Sequence, residues 1–163
     1  MIKLEKPDID VESIITDCTA NLTKQPILTH INASKTTIVS KSEKYNELAE
    51  KGQLGTLETH TMIEGGATKD DMVWLYDNKF VADGGRKYYD KIKAIPKYSK
   101  CPFCGVGIVS TLDHYLPKTK YPTYALTPVN LIACCADCNK NKKSEISETR
   151  NNEFIHPYYD DFN

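Results

Sequence analysis

Four of the chain's six cysteines stand in two C-x-x-C pairs, Cys101/Cys104 and Cys135/Cys138. Two such pairs, each on a tight turn, supply the four sulfurs that a structural Zn²⁺ prefers in tetrahedral array. Gly105, directly after Cys104, permits the close backbone turn. The alternatives are buried free thiols, disulfides or a redox pair. Disulfides do not suit a chain whose N-terminus, MIKLEKPDID, shows no apolar export segment, and the βαβ context of a thiol oxidoreductase is missing. The leftover Cys134, out of step with Cys138, reads as a small buried hydrophobe. An ion held by these pairs closes residues 105–134 into a loop, and Leu112-Asp113-His114-Tyr115-Leu116-Pro117-Lys118 lies inside it. A histidine that titrates near neutral pH, with a carboxylate beside it and a side-chain amide at Asn139, is a set suited to hydrolysis assisted by a hard divalent cation.

The order CPFCG, DHYLP, then NL-x-x-x-C-x-x-CN-x-x-K over Cys101–Lys143 resembles the signature of the HNH endonucleases. That resemblance implies a ββα-metal fold and hydrolysis of phosphodiester bonds, with DNA favoured as substrate. It makes His114 the general base, and Asp113 and Asn139 the ligands of a catalytic Mg²⁺ or Mn²⁺. Asn130 matches the middle asparagine, which ties the loop to the strand by hydrogen bonds. The requirement is physical as well. Phosphodiester hydrolysis needs a water deprotonated near neutral pH and a cation against the charge that develops on phosphate. Adjacent side chains on a strand edge point differently, so Asp113 can face an ion while His114 faces a water.

Lys142 matches the basic residue after the second pair, and Lys118, Lys120, Lys142 and Lys143 are expected to hold phosphates. For any single lysine the plain alternative is a solvated helix face. The opening IKLEKP and the DHYLPK stretch are also similar to HNH subunits of bacterial anti-phage defence systems, Septu-like or retron-associated, which implies an ATPase partner. A homodimer is the other expected assembly. A zinc module that binds nucleic acid or protein without catalysis needs the four cysteines, but not Asp113, His114 and Asn139 together.

The net charge of −1 excludes a chain that is basic throughout. From Lys97 to Arg150, however, eight basic residues face four acidic ones, which suits a local anion site. No apolar run approaches the ~20 residues needed to span a bilayer, so no membrane partner is expected and the expected location is cytoplasmic.

The elements that must position these groups are legible in outline. Val11–Leu22 has helical apolar spacing, and Pro26 ends it. Residues Ile27–Val39 are ambiguous. Ser42–Gln53 reads as a helix capped by Ser42 and closed near Gly52. Gly65-Gly66 marks a turn. Thr68 opens another helix with Val73, Trp74, Tyr76 and Phe80 on its apolar face, interrupted at Gly84-Gly85 and followed by Arg86–Ile95. After Pro96, the pattern predicts a cysteine knuckle, a strand over Val106–Leu112, a loop over His114–Pro128, a strand over Leu131–Cys134 and a helix over Asn139–Glu148. The expected class is α+β: a mostly helical N-terminal region (1–96) that docks, dimerises or clamps substrate, a zinc-stapled ββα-metal core (97–150), and an aromatic, acidic tail (151–163). In that tail, His156 and Asp160 either pack on the body or approach the site.

Overall fold

In the computed structural model, residues 1–142 and 155–161 are described. Among these residues, five α-helices and one two-stranded sheet follow in the order α1 (Val11–Thr19), α2 (Ile27–Glu50), α3 (Lys69–Leu75), α4 (Arg86–Lys93), β1 (Thr111–His114), β2 (Leu131–Cys134) and α5 (Ala136–Lys142). The class is α+β.

Helix α1 starts where its sequence has a cap: Asp10 accepts a hydrogen bond from the Ser13 amide, and Val11, Ile14, Ile15 and Cys18 form its buried face. Pro26 precedes the next helix and does not end the previous one. Proline tolerates that place because the first turn has no partner for its N–H.

Residues Ile27–Val39 and most of Ser42–Gln53 belong to a single helix of 24 residues, α2, which ends at Glu50. Its Thr- and Ser-rich middle has low intrinsic helix propensity. The buried stripe Ile27, Ile31, Ser34, Ile38, Ser42, Tyr45 and Ala49 repeats at three and four residues, and tertiary burial of that stripe overrides propensity. Ser42 is therefore no cap; its hydroxyl pairs with that of Thr127 at 2.6 Å. Gly52, with φ of 62°, closes the chain just past the helix.

Thr68 does cap α3. Its side chain accepts from the Asp71 amide while the Asp71 carboxylate accepts from the Thr68 amide, a reciprocal capping box. The buried face is Met72, Leu75, Tyr76 and Phe80, with Val73 and Trp74 only half-buried. These buried positions keep the ordinary spacing of three and four residues, on a face one residue away from Val73; the helix then widens into one π turn, Tyr76–Phe80, where the Val81 amide donates to the Tyr76 carbonyl.

Strands β1 and β2 pair antiparallel, with Leu112 opposite Ala133, Asp113 opposite Ile132 and His114 opposite Leu131. The first strand lies later than Val106–Leu112, and His114 ends it instead of opening a loop. Residues 106–110 form the outgoing arm of the cysteine knuckle, where the Cys101 amide donates to the Gly107 carbonyl and the Val109 amide to the Ser99 carbonyl. Helix α5 begins at Ala136, three residues ahead of Asn139, and the remainder of the expected Asn139–Glu148 helix lies outside the described residues beyond Lys142.

One apolar core joins residues on both sides of Pro96: Ile14, Ile31, Phe80 and Ile92 from the helices pack with Leu112, Leu126 and Leu131. A second cluster gathers Leu4, Tyr45, Leu116, Tyr121, Tyr124, Ile132 and Tyr158 behind the sheet. No helix among the described residues is long and apolar enough to cross a membrane.

Candidate hydrolytic site and four-cysteine cluster

The sulfurs of Cys101, Cys104, Cys135 and Cys138 all lie within 4.8 Å of one another. A tetrahedron of thiolates around Zn²⁺ with bonds of ~2.3 Å has edges of roughly 3.8 Å, so the cluster fits that ion with little adjustment. The backbone builds the cluster. Gly105 turns the chain at φ of 72°. The Gly107 amide donates to the Cys104 sulfur at 3.2 Å. A Cβ on Gly107 would sit 2.8 Å from Cys135 Cβ and Sγ, so the two knuckles approach each other only because this residue has no side chain. The amides of Gly107 and Val106 pull the Cys104 thiol down to about 6, toward the thiolate that a metal requires. Burial pushes Cys138 up, and the neighbouring cysteine sulfurs add to the effect. Cys134 and Cys18 stay outside the cluster, buried, with burial raising each to about 12.

Beside this cluster, Tyr76, Asp113, His114, Lys118, Asn139 and Lys140 help line one cavity of about 370 Å³. Strand β1 delivers Asp113 and His114 with alternating burial, and α5 delivers Asn139 one residue after Cys138. The Asn139 side chain has no hydrogen-bond partner among the described residues.

His114 is held on two sides. Its Nε2 lies 2.9 Å from the Ala125 carbonyl, and a carbonyl only accepts, so Nε2 carries the proton. The lone pair is thereby left on Nδ1. The Tyr76 ring meets the imidazole edge-on at 4.5 Å. Burial, reinforced by the Lys118 charge, lowers His114 to about 3, so the ring is neutral at physiological pH.

Asp113 has a partner that the sequence did not reveal. Lys142 Nζ donates to Asp113 Oδ2 at 2.7 Å, to the His114 carbonyl at 2.6 Å and to the Tyr115 carbonyl at 3.2 Å. The expectation that Lys142 holds phosphate is therefore corrected: it is buried, and its three protons are spent inside the protein. Burial raises the Asp113 carboxyl, and the Lys142 charge draws it partly back. Lys118 remains at the cavity, above the Tyr76 ring and 3.8 Å from Asp77. Lys120 is exposed and does not line the cavity, whereas Lys140 does. Lys143 lies outside the described residues.

Asn130 is fully buried and makes four side-chain hydrogen bonds. Oδ1 accepts from the Leu116 amide and the Tyr45 hydroxyl, and Nδ2 donates to the carbonyls of Leu116 and Tyr124. It faces backbone and not the cavity. Tyr121 and Tyr124 are packing residues in the second cluster. His156, in the tail, packs on the body, where its ring stacks on Tyr115 at 4.2 Å, and it does not line the cavity. No pattern of residue types pointed to Tyr45, 85 residues from Asn130, or to the Ala125 carbonyl, a backbone group that no side-chain pattern can announce.

The chain is 31% identical to Protein ea31 of Escherichia phage lambda over a 170-residue alignment that covers 98% of this chain. It spans 57% of that protein's length. No family model matches the chain, and no solved structure matches it.

Proposed function

We propose that the protein is a metal-dependent endonuclease that hydrolyses phosphodiester bonds of nucleic acid, with DNA as the favoured substrate. The observation that carries the reading is one cavity holding a carboxylate, a neutral imidazole, a side-chain amide and two lysines, next to a four-cysteine cluster. A non-catalytic zinc module has no use for the first three in one pocket.

The four cysteines would hold a structural Zn²⁺. Asp113 and Asn139 would hold a Mg²⁺ or Mn²⁺: both offer hard oxygens to the cavity, and Lys142 occupies only Oδ2 of the carboxylate among its named contacts. Bound there, the divalent ion would supply charge stabilisation to the phosphate oxygens and the leaving 3′ oxygen. His114 takes the proton of the attacking water on Nδ1, the nitrogen left unprotonated by the Ala125 contact. The Ala125 carbonyl then faces an imidazolium N–H and favours the charged product of that transfer. Lys118 and Lys140 bind phosphate at the rim. Asn130 keeps the Leu116 backbone in place without touching substrate.

The test is nicking of supercoiled plasmid by purified protein with Mg²⁺ or Mn²⁺, with His114→Ala alongside. Cutting by wild type alone supports the assignment. Equal cutting by both removes His114 as base, and binding without cutting by either supports the zinc module. An ATPase partner, implied by the likeness to defence-system subunits, belongs to the same proposal and is tested by adding extract from the host cell.

A further inference from the structure

Behind the cavity, away from any metal or substrate, a buried polar chain runs from the C-terminal segment to Asn130. Three of the four partners of the Asn130 side chain are backbone groups of the loop that follows His114, and the fourth is the Tyr45 hydroxyl, 3.0 Å from Oδ1. Tyr45 is fully buried toward the C-terminal end of α2. Its hydroxyl has one proton, and Asn130 Oδ1 only accepts, so that proton goes to Asn130. The second neighbour of the hydroxyl is His156 Nε2 at 3.1 Å. With the Tyr45 proton committed, His156 Nε2 must donate, which fixes its tautomer and leaves Nδ1 as an acceptor. Nδ1 faces the Tyr158 amide at 3.4 Å, in agreement with that assignment.

His156 acts on the same loop by a second route. Its ring lies against the ring of Tyr115, at 4.2 Å and 32°. Tyr115 follows His114 directly, and its amide donates to the Asn130 carbonyl at 2.8 Å. The segment that carries His156 is itself anchored. The Leu4 amide donates to the Pro157 carbonyl at 2.9 Å. The Tyr158 hydroxyl donates to the carbonyl of Leu131, the strand partner of His114, at 2.9 Å. Space-filling alone would not need this arrangement, because a leucine or phenylalanine would fill the same volume without buried polar atoms. Such atoms are costly unless each is bonded, and none among the described residues is left without a partner.

We propose that Tyr45 and His156 are positioning residues of the hydrolytic site: His156 orients the Tyr45 hydroxyl, Tyr45 holds Asn130, and Asn130 fixes the Tyr115–Leu116 backbone that sets where His114 points. The inference rests on the nuclease reading for its consequence in rate, but its structural content stands apart from that reading. It also means that residues 155–161 complete the site from behind.

The experiment uses the full chain with bound zinc and three variants: Tyr45→Phe, His156→Met and His156→Gln, the last of which keeps an N–H near the place of Nε2. Amide exchange by NMR is read at Leu116 and at helix α1. Plasmid nicking is read as kcat and KM separately. Expected is exchange at Leu116 at least about tenfold faster in Tyr45→Phe and His156→Met, with α1 unchanged. Zinc content stays at the wild-type level. Kcat falls about 10- to 100-fold with KM within about twofold, and His156→Gln recovers most of the rate. Wild-type exchange at Leu116 in both Tyr45→Phe and His156→Met overturns the proposal. So does a rate loss that His156→Gln fails to rescue and that comes with faster exchange throughout α1, since that pattern marks general loosening. If His156→Met does not fold, Tyr45→Phe, which retains the ring, decides. If wild type does not nick DNA, the nuclease reading fails, and exchange at Leu116 alone decides the positioning claim.

Discussion

Lys142 reaches from the last turn of α5 to Asp113 on β1 and places its ammonium 2.7 Å from Oδ2, with the two side chains only 7% and 12% exposed. The same ammonium bonds two successive backbone carbonyls, those of His114 and Tyr115. One side chain thus ties the helix that carries Asn139 to the strand that carries Asp113 and His114, and it sets the rotamer of a proposed metal ligand.

Removing one partner of so enclosed a pair leaves a charge without compensation. Lys142→Met should cost about 3 kcal/mol of stability in urea unfolding, and Lys142→Met combined with Asp113→Asn should recover part of that loss. A single variant within about 0.5 kcal/mol of wild type would show the pair to be dispensable.

The four-cysteine cluster makes a separable claim. Purified protein should contain about one equivalent of zinc, and Cys101→Ser should lose both the zinc and much of the thermal stability, because metal binding contributes folding free energy. Gly107→Ala should do the same at lower severity, by pushing the two knuckles apart. Zinc-free protein with an unchanged melting temperature would sink the assignment.

Two buried histidines predict a slope of stability against pH. Burial holds His156 near 3 in the folded chain, well below the ordinary value near 6.5. The unfolded chain therefore binds the proton first. The contribution is fully present above about pH 6.5 and is lost as pH falls from there toward 3. His114 acts in the same direction. Between about pH 6 and pH 4.5, His156→Gln should reduce the slope by roughly 1.4 kcal/mol per pH unit relative to wild type. Parallel slopes for the two proteins would contradict the buried, neutral state of His156.

Lysines at the cavity should separate from lysines elsewhere. Lys118→Ala should weaken nucleic-acid binding and reduce the dependence of log affinity on log salt by about one. Lys120→Ala, at an exposed position off the cavity, should change both less. Equal effects of the two substitutions would argue for a diffuse basic surface in place of a phosphate site at the rim.

Much of the site could be read from residue order because local chemistry dictates it. C-x-x-C turns, a capping Thr68 and the Asp113-His114 pair carry their meaning within a few residues. What escaped was set by distant partners. Ile27–Glu50 is one helix because its stripe meets a core assembled from later residues. Lys142 turned inward because the Asp113 carboxylate, 29 positions earlier, is close enough to hold it. The strand that carries His114 lay beyond its expected position because the outgoing arm of the cysteine knuckle uses residues 106–110 for its own hydrogen bonds.

The π turn at Tyr76–Phe80 has an evolutionary and engineering consequence. Its five residues turn the chain through roughly the angle that four residues turn in an ordinary helix, so the extra residue is an insertion with a fixed address: deleting one position there should remove the bulge and leave the faces on either side in phase. Aligned homologues should therefore carry a one-residue gap in this stretch more readily than inside α1 or α2, where the same gap would rotate one part of the helix by about 100° against the other.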